Sequence, residues 1–397
     1  LRAVTFAGRR EVLSRFREIV ASDRLGQSYL FLGPEGAGKE ATALEIARVA
    51  NCVRRPACEG TPWCESCSKA LTFQHPDIRW LGPAPAALTA EGVREMLTAK
   101  QEQPFYQAPF AASSSVTIGD PDAPGPLTVR SLIRFLRLRA FQGRLKVAVL
   151  SDAHRLTEEA ANALLKTLEE PPPASVIFLL APHRLGLLPT ILSRCQQVRF
   201  EPFAAEELAA VLTALSGVDR ERALSIARLA DGNGRRAVAL LRPQTLALLN
   251  WAGRLFEWID EGREGSVQLA ADQLHEGVIP AEMIPPELGS PVPAAKDLAA
   301  KRERAIQLCE MLNLYYSDLL MCQERGTDWQ PRLVGAADRV RRIAARRSSR
   351  TLLEDIARVE IAKGEIDGNL NLGLTMAVLG QELVNNAQRD RTIIGLR

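Results

Sequence analysis

The chain has 397 residues, 46% of them apolar and 24% charged, with a formal net charge of +3. That length supports two or three domains with separate cores, and a charge this close to balance does not by itself call for a nucleic-acid partner. No apolar run reaches membrane-spanning length and no signal-peptide pattern opens the sequence, so a cytoplasmic protein without membrane contact is expected.

The first regular element is Ser28 to Leu32, an apolar strand pattern that leads into a glycine loop from Gly33 to Lys39 and a helical pattern from Ala41 to Ala50. A cysteine cluster follows, then a second strand pattern from Ile78 to Leu81. Residues 82–126 are rich in Pro, Ala, Gly and Ser. They read as an irregular insertion with one helix near Ala90 to Lys100, and no chemistry is assigned to them. Val129 to Arg139 reads as a helix. Beyond it come a strand from Lys146 to Leu150, a helix from Thr157 to Glu169 closed by Pro171-Pro172-Pro173, an apolar strand from Val176 to Ala181, a short helix from Leu187 to Ser193 and a strand from Gln197 to Phe200. This alternation implies a doubly wound α/β domain with a parallel sheet. After Pro202 the strands stop. Helix patterns over Ala204 to Ala214, Asp219 to Ala230 and Arg235 to Leu241 suggest a small lid, and from Pro243 onward the chain is helical apart from a Pro-rich break from Ile279 to Pro293.

Gly33-Pro34-Glu35-Gly36-Ala37-Gly38-Lys39 matches the P-loop pattern through its lysine, between a strand and a helix as required. In such a loop Gly33, Gly36 and Gly38 let backbone N–H groups wrap phosphate, the helix N-terminus adds partial positive charge, and Lys39 reaches the β and γ phosphates. The next position needs Ser or Thr to hold Mg2+; here it is Glu40. A carboxylate about 4 Å from a phosphate charge is repelled by roughly 4 kcal/mol at an effective dielectric of about 20. The strand ending at Leu150 leads to Ser151 and Asp152, where a hydrolysing site needs an Asp for the metal and a Glu to orient water. Two independent losses at the metal position predict that ATP is not bound productively. Either a relic loop that binds nothing or an anion, or a weak nucleotide site, is left.

Cys52, Cys58, Cys64 and Cys67 fall in a C-x5-C-x5-C-x2-C run within a chain of seven cysteines. An odd total with tight clustering argues against a secreted disulfide scaffold and for a metal site. Four thiolates suit tetrahedral Zn2+, and the final CxxC is a standard half-site. Pro56, Gly60 and Pro62 favour tight turns between the ligands. With every position filled by protein such a site is structural; a reduced cluster without metal is the alternative.

Leu192-Ser193-Arg194-Cys195 follows the short helix at the sheet edge, where an arginine can point out of its own subunit. A planar guanidinium binds phosphate oxygens bidentately and stabilises charge in phosphoryl transfer, although a lone surface arginine is ordinarily only solvated. Gly232-Asn233-Gly234-Arg235-Arg236 opens a lid helix, where an arginine either senses phosphate or simply starts the helix.

Together the glycine loop, the cysteine cluster, His75-Pro76-Asp77, the run from Asn162 to Pro172 and Thr190-Ile191-Leu192-Ser193-Arg194-Cys195 resemble bacterial clamp-loader subunits of the AAA+ family. The run from Asn162 to Pro172 is the most specific part, shared by the tau/gamma and delta-prime subunits of DNA polymerase III. The tau/gamma motor carries Thr after the loop lysine and an Asp-Glu pair after the strand. Glu40, Ser151 and Asp152 instead resemble delta-prime, which does not hydrolyse ATP.

The resemblance implies an AAA+ RecA-like parallel-sheet domain with a zinc module over residues 1–202, a helical lid over 203–243 and an all-α collar domain over 244–397. It also implies a role. In a complex with tau/gamma and delta subunits, Arg194 would be presented in trans to ATP held by a neighbouring motor subunit. The complex would load the sliding clamp onto primed DNA, and this chain would have no enzymatic activity of its own. Two other readings stay open: an ATP-hydrolysing tau/gamma-type motor, and a zinc-dependent DNA-binding module. The second is motivated by Arg339, Arg341, Arg342, Arg346, Arg347 and Arg350.

Overall fold

The computed structural model describes residues 9–394 except 27, 55–56, 60–61, 86, 104, 123–124, 284–293, 327–328, 330–331, 333–336 and 369. Pro56 and Gly60, expected in turns between the cysteines, and most of the 279–293 break lie outside the described residues. The chain divides into two compact units, Leu1–Ala237 and Val238–Arg397. The first unit takes in most of the segment expected as a lid.

The first unit runs α1 (Arg10–Ala21), β1 (Ser28–Leu32), α2 (Lys39–Ala50), α3 (Glu65–Leu71), β2 (Ile78–Leu81), α4 (Ala90–Glu102), α5 (Val129–Leu136), β3 (Lys146–Leu150), α6 (Glu158–Glu169), β4 (Ser175–Ala181), α7 (Pro189–Leu192), β5 (Gln196–Arg199), α8 (Ala205–Ser216), α9 (Arg220–Leu229) and the opening residues of α10 (Gly234–Leu240). Its five strands form one parallel sheet in the order β2-β3-β4-β1-β5. This is the expected α/β class with one parallel sheet.

β1, β3 and β4 are buried along their whole length, which is why their sequences are apolar after the first residue. Successive side chains point to opposite faces. Tyr29, Phe31, Val147, Val149 and Phe178 enter one core with Leu13 and Phe16 of α1 and Ile46 of α2. Leu30, Ala148, Leu150, Ile177 and Leu179 enter the other with Leu132 of α5 and Leu164 of α6. Thr157 caps α6 by accepting from the Ala160 N–H, and the specific run from Asn162 supplies Leu164, Thr167 and Leu168 to the buried side of that helix.

Some boundaries differ from the sequence reading. α5 stops at Leu136 rather than Arg139, because the following residues turn back to hydrogen-bond Asp77. The helix expected over Leu187 to Ser193 shortens to Pro189–Leu192, with the proline at its first turn. α1 and α3 were not anticipated.

All strands run the same way, so the loop after β1 and the turn after β3 lie at one end of the sheet. The residues before β5 lie at the other, where Gln196 pairs with Tyr29.

The second unit contains α11 (Pro243–Glu261), α12 (Glu264–Glu276), α13 (Leu298–Arg325), α14 (Ala337–Ala344), α15 (Ser349–Asp367) and α16 (Leu372–Ile394). α13 packs on α11 and α15, and α16 on α12 and α15. Trp251, Phe256 and Tyr316 fill its centre. Arg347 is buried between two carboxylates: Nε meets Asp390 at 3.0 Å and Nη2 pairs with Asp355. Asn386 donates to Asp355 at 2.7 Å. Among the described residues, no helix is long and apolar enough to cross a membrane.

Candidate functional site

A side chain at Gly33 would put its Cβ 2.0 Å from the Phe200 carbonyl oxygen, so only glycine lets β1 leave the sheet there. Gly36 and Gly38 hold φ of 71° and 78°, the left-handed region that glycine tolerates. α2 then begins at Lys39. Gly33, Gly36, Gly38 and Lys39 thus share one loop ahead of a helix N-terminus. Lys39 Nζ donates to the carbonyls of Gly33 at 2.5 Å and Pro34 at 2.7 Å. Burial lowers the Lys39 pKa to about 8, against the opposing pull of Asp152 and Glu35.

Glu40 is not the bare carboxylate that the sequence implied. Its Oε1 lies 2.7 Å from the Lys100 Nζ, which arrives on α4 from the insertion. That ammonium also donates to the Tyr106 carbonyl at 3.2 Å and sits 4.7 Å from the Trp80 ring centroid. Burial pushes the Glu40 carboxyl up, but the charge and hydrogen bond of Lys100 outweigh it and the net shift is downward. Asp152, with φ of 51°, has its carboxyl raised by burial and then by Glu40. These groups border a cavity of about 90 Å³ together with Lys39, Ser151 and Arg235. Ordinary small-molecule clefts hold roughly 300–1,000 Å³.

The segment opening α10 lies directly on this loop. The Gly234 N–H donates to the Gly36 carbonyl at 3.0 Å. Arg235, for which the sequence allowed two roles, faces the loop and pairs with Glu35 at 2.7 Å. Asn233 caps the helix by accepting from the N–H groups of Arg235 and Arg236 at 3.0 and 3.1 Å. On the other flank Arg9 stacks 4.0 Å over the Phe203 ring and donates to the Ala37 carbonyl at 2.9 Å.

The cysteine cluster is a separate centre. Cys52, Cys58, Cys64 and Cys67 are all buried, and their sulfurs lie within 4.8 Å of one another. Cys52 Sγ is 3.7 Å from Cys58 Sγ and 3.8 Å from Cys64 Sγ. A tetrahedron with Zn–S bonds of about 2.3 Å has edges of about 3.8 Å, so the donor set fits Zn2+. Arg48, buried in α2, donates to Cys67 Sγ at 2.9 Å, grips Glu45 at 2.6 and 2.7 Å, and stacks 4.7 Å from the Trp63 ring. A cation there would offset the net negative charge of four thiolates if they held a divalent ion.

His75-Pro76-Asp77 ties this module to the sheet. The buried Asp77 carboxylate accepts from the N–H groups of Phe141, Gln142 and Gly143 at 2.8, 2.7 and 2.6 Å. It also pairs with Lys146 at 2.7 Å. Burial alone would raise its pKa; Lys146 and the three N–H donors overcome that and hold it at about 2. His75 Nδ1 accepts from the Asp77 N–H at 3.0 Å, which leaves Nε2 to meet Ser66 at 3.0 Å beside Cys67.

Arg194 stands just before β5, at the opposite end of the sheet from its own phosphate loop. From the level of Tyr29, β1 must climb to Gly33 at about 3.3 Å per residue, or about 13 Å. Its side chain is 32% exposed. It pairs with Glu169 at 2.5 Å and donates to the Thr190 carbonyl at 3.0 Å.

The basic stretch in the second unit is largely committed internally. Arg347 is buried, Arg339 pairs with Glu257 at 2.7 Å, Arg350 with Glu354 at 3.0 Å and Arg341 with Asp338 at 3.6 Å.

Residues 8–118 and 126–204 match the family model described as DNA polymerase III, delta subunit. The delta' subunit of DNA polymerase III from Pseudomonas aeruginosa is 30% identical over 207 residues, 52% of this chain and 53% of that protein. The delta' subunit from Bacillus subtilis is 28% identical over 185 residues, 46% of this chain and 44% of that protein. The tau subunit from Bacillus subtilis is 25% identical over 322 residues, 79% of this chain and 49% of that protein. The chain therefore spans about half the length of these relatives. Family match and relatives agree on what the chain resembles: over residues 8–204 it is similar to the delta' and tau clamp-loader subunits of DNA polymerase III.

Proposed function

We propose that this chain is a delta-prime-type stator of a bacterial clamp loader, one that does not hydrolyse ATP itself. The observation that carries the reading is the Glu40–Lys100 pair. A hydrolysing site needs a hydroxyl and Mg2+ at that point. This chain has a carboxylate already neutralised by its own ammonium, and Ser151 offers no carboxylate to a metal. Zinc at the four cysteines would be structural, since no ligand position is left for chemistry.

In this reading residues 1–202 form the nucleotide-fold domain, 203–243 the lid and 244–397 the collar. The partners are tau/gamma and delta subunits, the sliding clamp and primed DNA, in the cytoplasm. Arg194 acts in trans on ATP held by a neighbouring tau/gamma subunit. Its support is positional: it is partly exposed, far from its own loop, and retained where this chain's metal positions are lost. A tau/gamma-type motor is the second reading. In its favour is the longer alignment of the Bacillus subtilis tau subunit, over 79% of this chain.

The test is a reconstituted complex carrying Arg194→Ala. A trans arginine is worth about 10³-fold or more at one site; the loss here is smaller because the other ATP sites keep their own arginines. Clamp-stimulated hydrolysis and clamp loading should fall, with zinc content and assembly unchanged. Loading at the unaltered rate would remove the trans role.

A further inference from the structure

We infer that the insertion after β2 is a built-in plug that latches the lid segment onto the phosphate loop without any nucleotide. Lys100 of α4 brings a positive charge to Glu40, at the position where a working loop holds its metal. Trp80 lies beneath that ammonium. A few residues on, Phe105 reaches the lid side. Its ring covers Gly234 so closely that a Cβ there would lie 2.4 Å away, and it meets Phe203 edge-on at 6.2 Å. The covered lid segment is itself bonded to the loop through Gly234 and Arg235. One segment therefore supplies both the charge that quiets the loop and the aromatic wedge that holds the lid against it.

In a nucleotide-driven switch the bound phosphates hold lid and loop together, and the contact weakens when they leave. Here the same surfaces are joined by side chains of the chain itself, and Lys100, Phe105 and Arg235 line the cavity of about 90 Å³ at the loop. The lid of this chain is thus permanently closed and indifferent to ATP. The inference does not depend on Arg194 or on assembly, so a complex in which Arg194→Ala loads clamps normally would leave it standing.

Hydrogen exchange on the full chain tests it, since exchange reads local opening segment by segment. The wild-type chain should protect 33–41 and 232–240 fully without nucleotide, and millimolar MgATP should add nothing. Phe105→Ala should speed exchange in both segments by about tenfold or more while the strands β3 and β4 keep their rates. Lys100→Met combined with Glu40→Gln removes both charges without leaving either unpaired, and should loosen 33–41 in the same way. Added protection of the wild-type loop by MgATP would overturn the latch. So would unchanged exchange in both segments of Phe105→Ala, or a rise spread evenly over the sheet.

Discussion

The guanidinium of Arg48 donates to the sulfur of Cys67 at 2.9 Å while Glu45 holds its other edge. The cysteine cluster is thereby joined to the helix that follows the glycine loop. The pair Arg48–Glu45 is buried to about 2% exposure, so loss of Arg48 leaves the buried Glu45 with Arg17 alone, at 3.4 Å.

One zinc per chain is expected at Cys52, Cys58, Cys64 and Cys67, and metal analysis of unchelated protein checks it. Arg48→Met should weaken zinc by about tenfold to a hundredfold in chelator competition. It should also lower stability, because the buried Glu45 then keeps only Arg17, at 3.4 Å, as a cationic partner. Cys67→Ser should lose the metal outright.

The isolated chain should show no ATP turnover above background. Glu40→Thr alone should not restore it. That change leaves Lys100 as an unpaired ammonium where Mg2+ must bind, and Ser151 still lacks a carboxylate. Turnover that disappears in Lys39→Ala would overturn this expectation.

Asp77 sets an acid limit. Its carboxyl is held at about 2, against an ordinary 3.8. A depressed folded-state pKa stabilises the fold fully above the ordinary value and loses that contribution as pH falls toward 2. The shift corresponds to about 2 kcal/mol. In urea titrations the gap between wild type and Asp77→Asn should be constant above about pH 5 and narrow between about pH 4 and 2. A gap that does not change with pH would show that Asp77 acts only through shape.

In the proposed trans role, Glu169, which pairs with Arg194 at 2.5 Å, would compete with phosphate for it. Glu169→Gln should therefore leave clamp-stimulated hydrolysis by the assembled complex intact or raise it. Arg194→Lys should lower it, since a point-charge ammonium lacks the planar fork. Steady-state hydrolysis of the two complexes, assayed side by side, decides it.

What could be read in advance follows from how local the causes are. β1 and β3 fall at the expected residues because a strand buried on both faces writes an apolar run. The cysteines were legible because a CxxC pair is itself local, and the glycine loop because its conformation demands glycine at fixed places. α1 was missed although Leu13, Phe16 and Val20 carry a helical spacing that could have revealed it. α3 is only a turn or two long and starts after a cysteine of the cluster, Cys64, which caps it. Lys100 left no signal at all. It stands 60 positions from Glu40 in a stretch that looks like filler, and nothing short of the fold brings the two charges together. His75 and Asp77 marked a family, but their work in joining β2 to the turn before β3 appeared only with the hydrogen bonds in place.

Arg347 gives the second unit a single permitted alignment. Its guanidinium is met by Asp355 on α15 and by Asp390 on α16, and the neighbouring Ser348 N–H reaches Asp390 at 3.1 Å. A pure hydrocarbon seam between α15 and α16 would let one helix slide on the other by a turn, about 5.4 Å, and still bury oil against oil. With the triad present, that slip would carry Asp390 away from the ionised Arg347 and from the Ser348 N–H, leaving its buried carboxylate stranded. Most of its value lies in the wrong structures it makes unaffordable, so that helices with interchangeable apolar faces still assemble in one way.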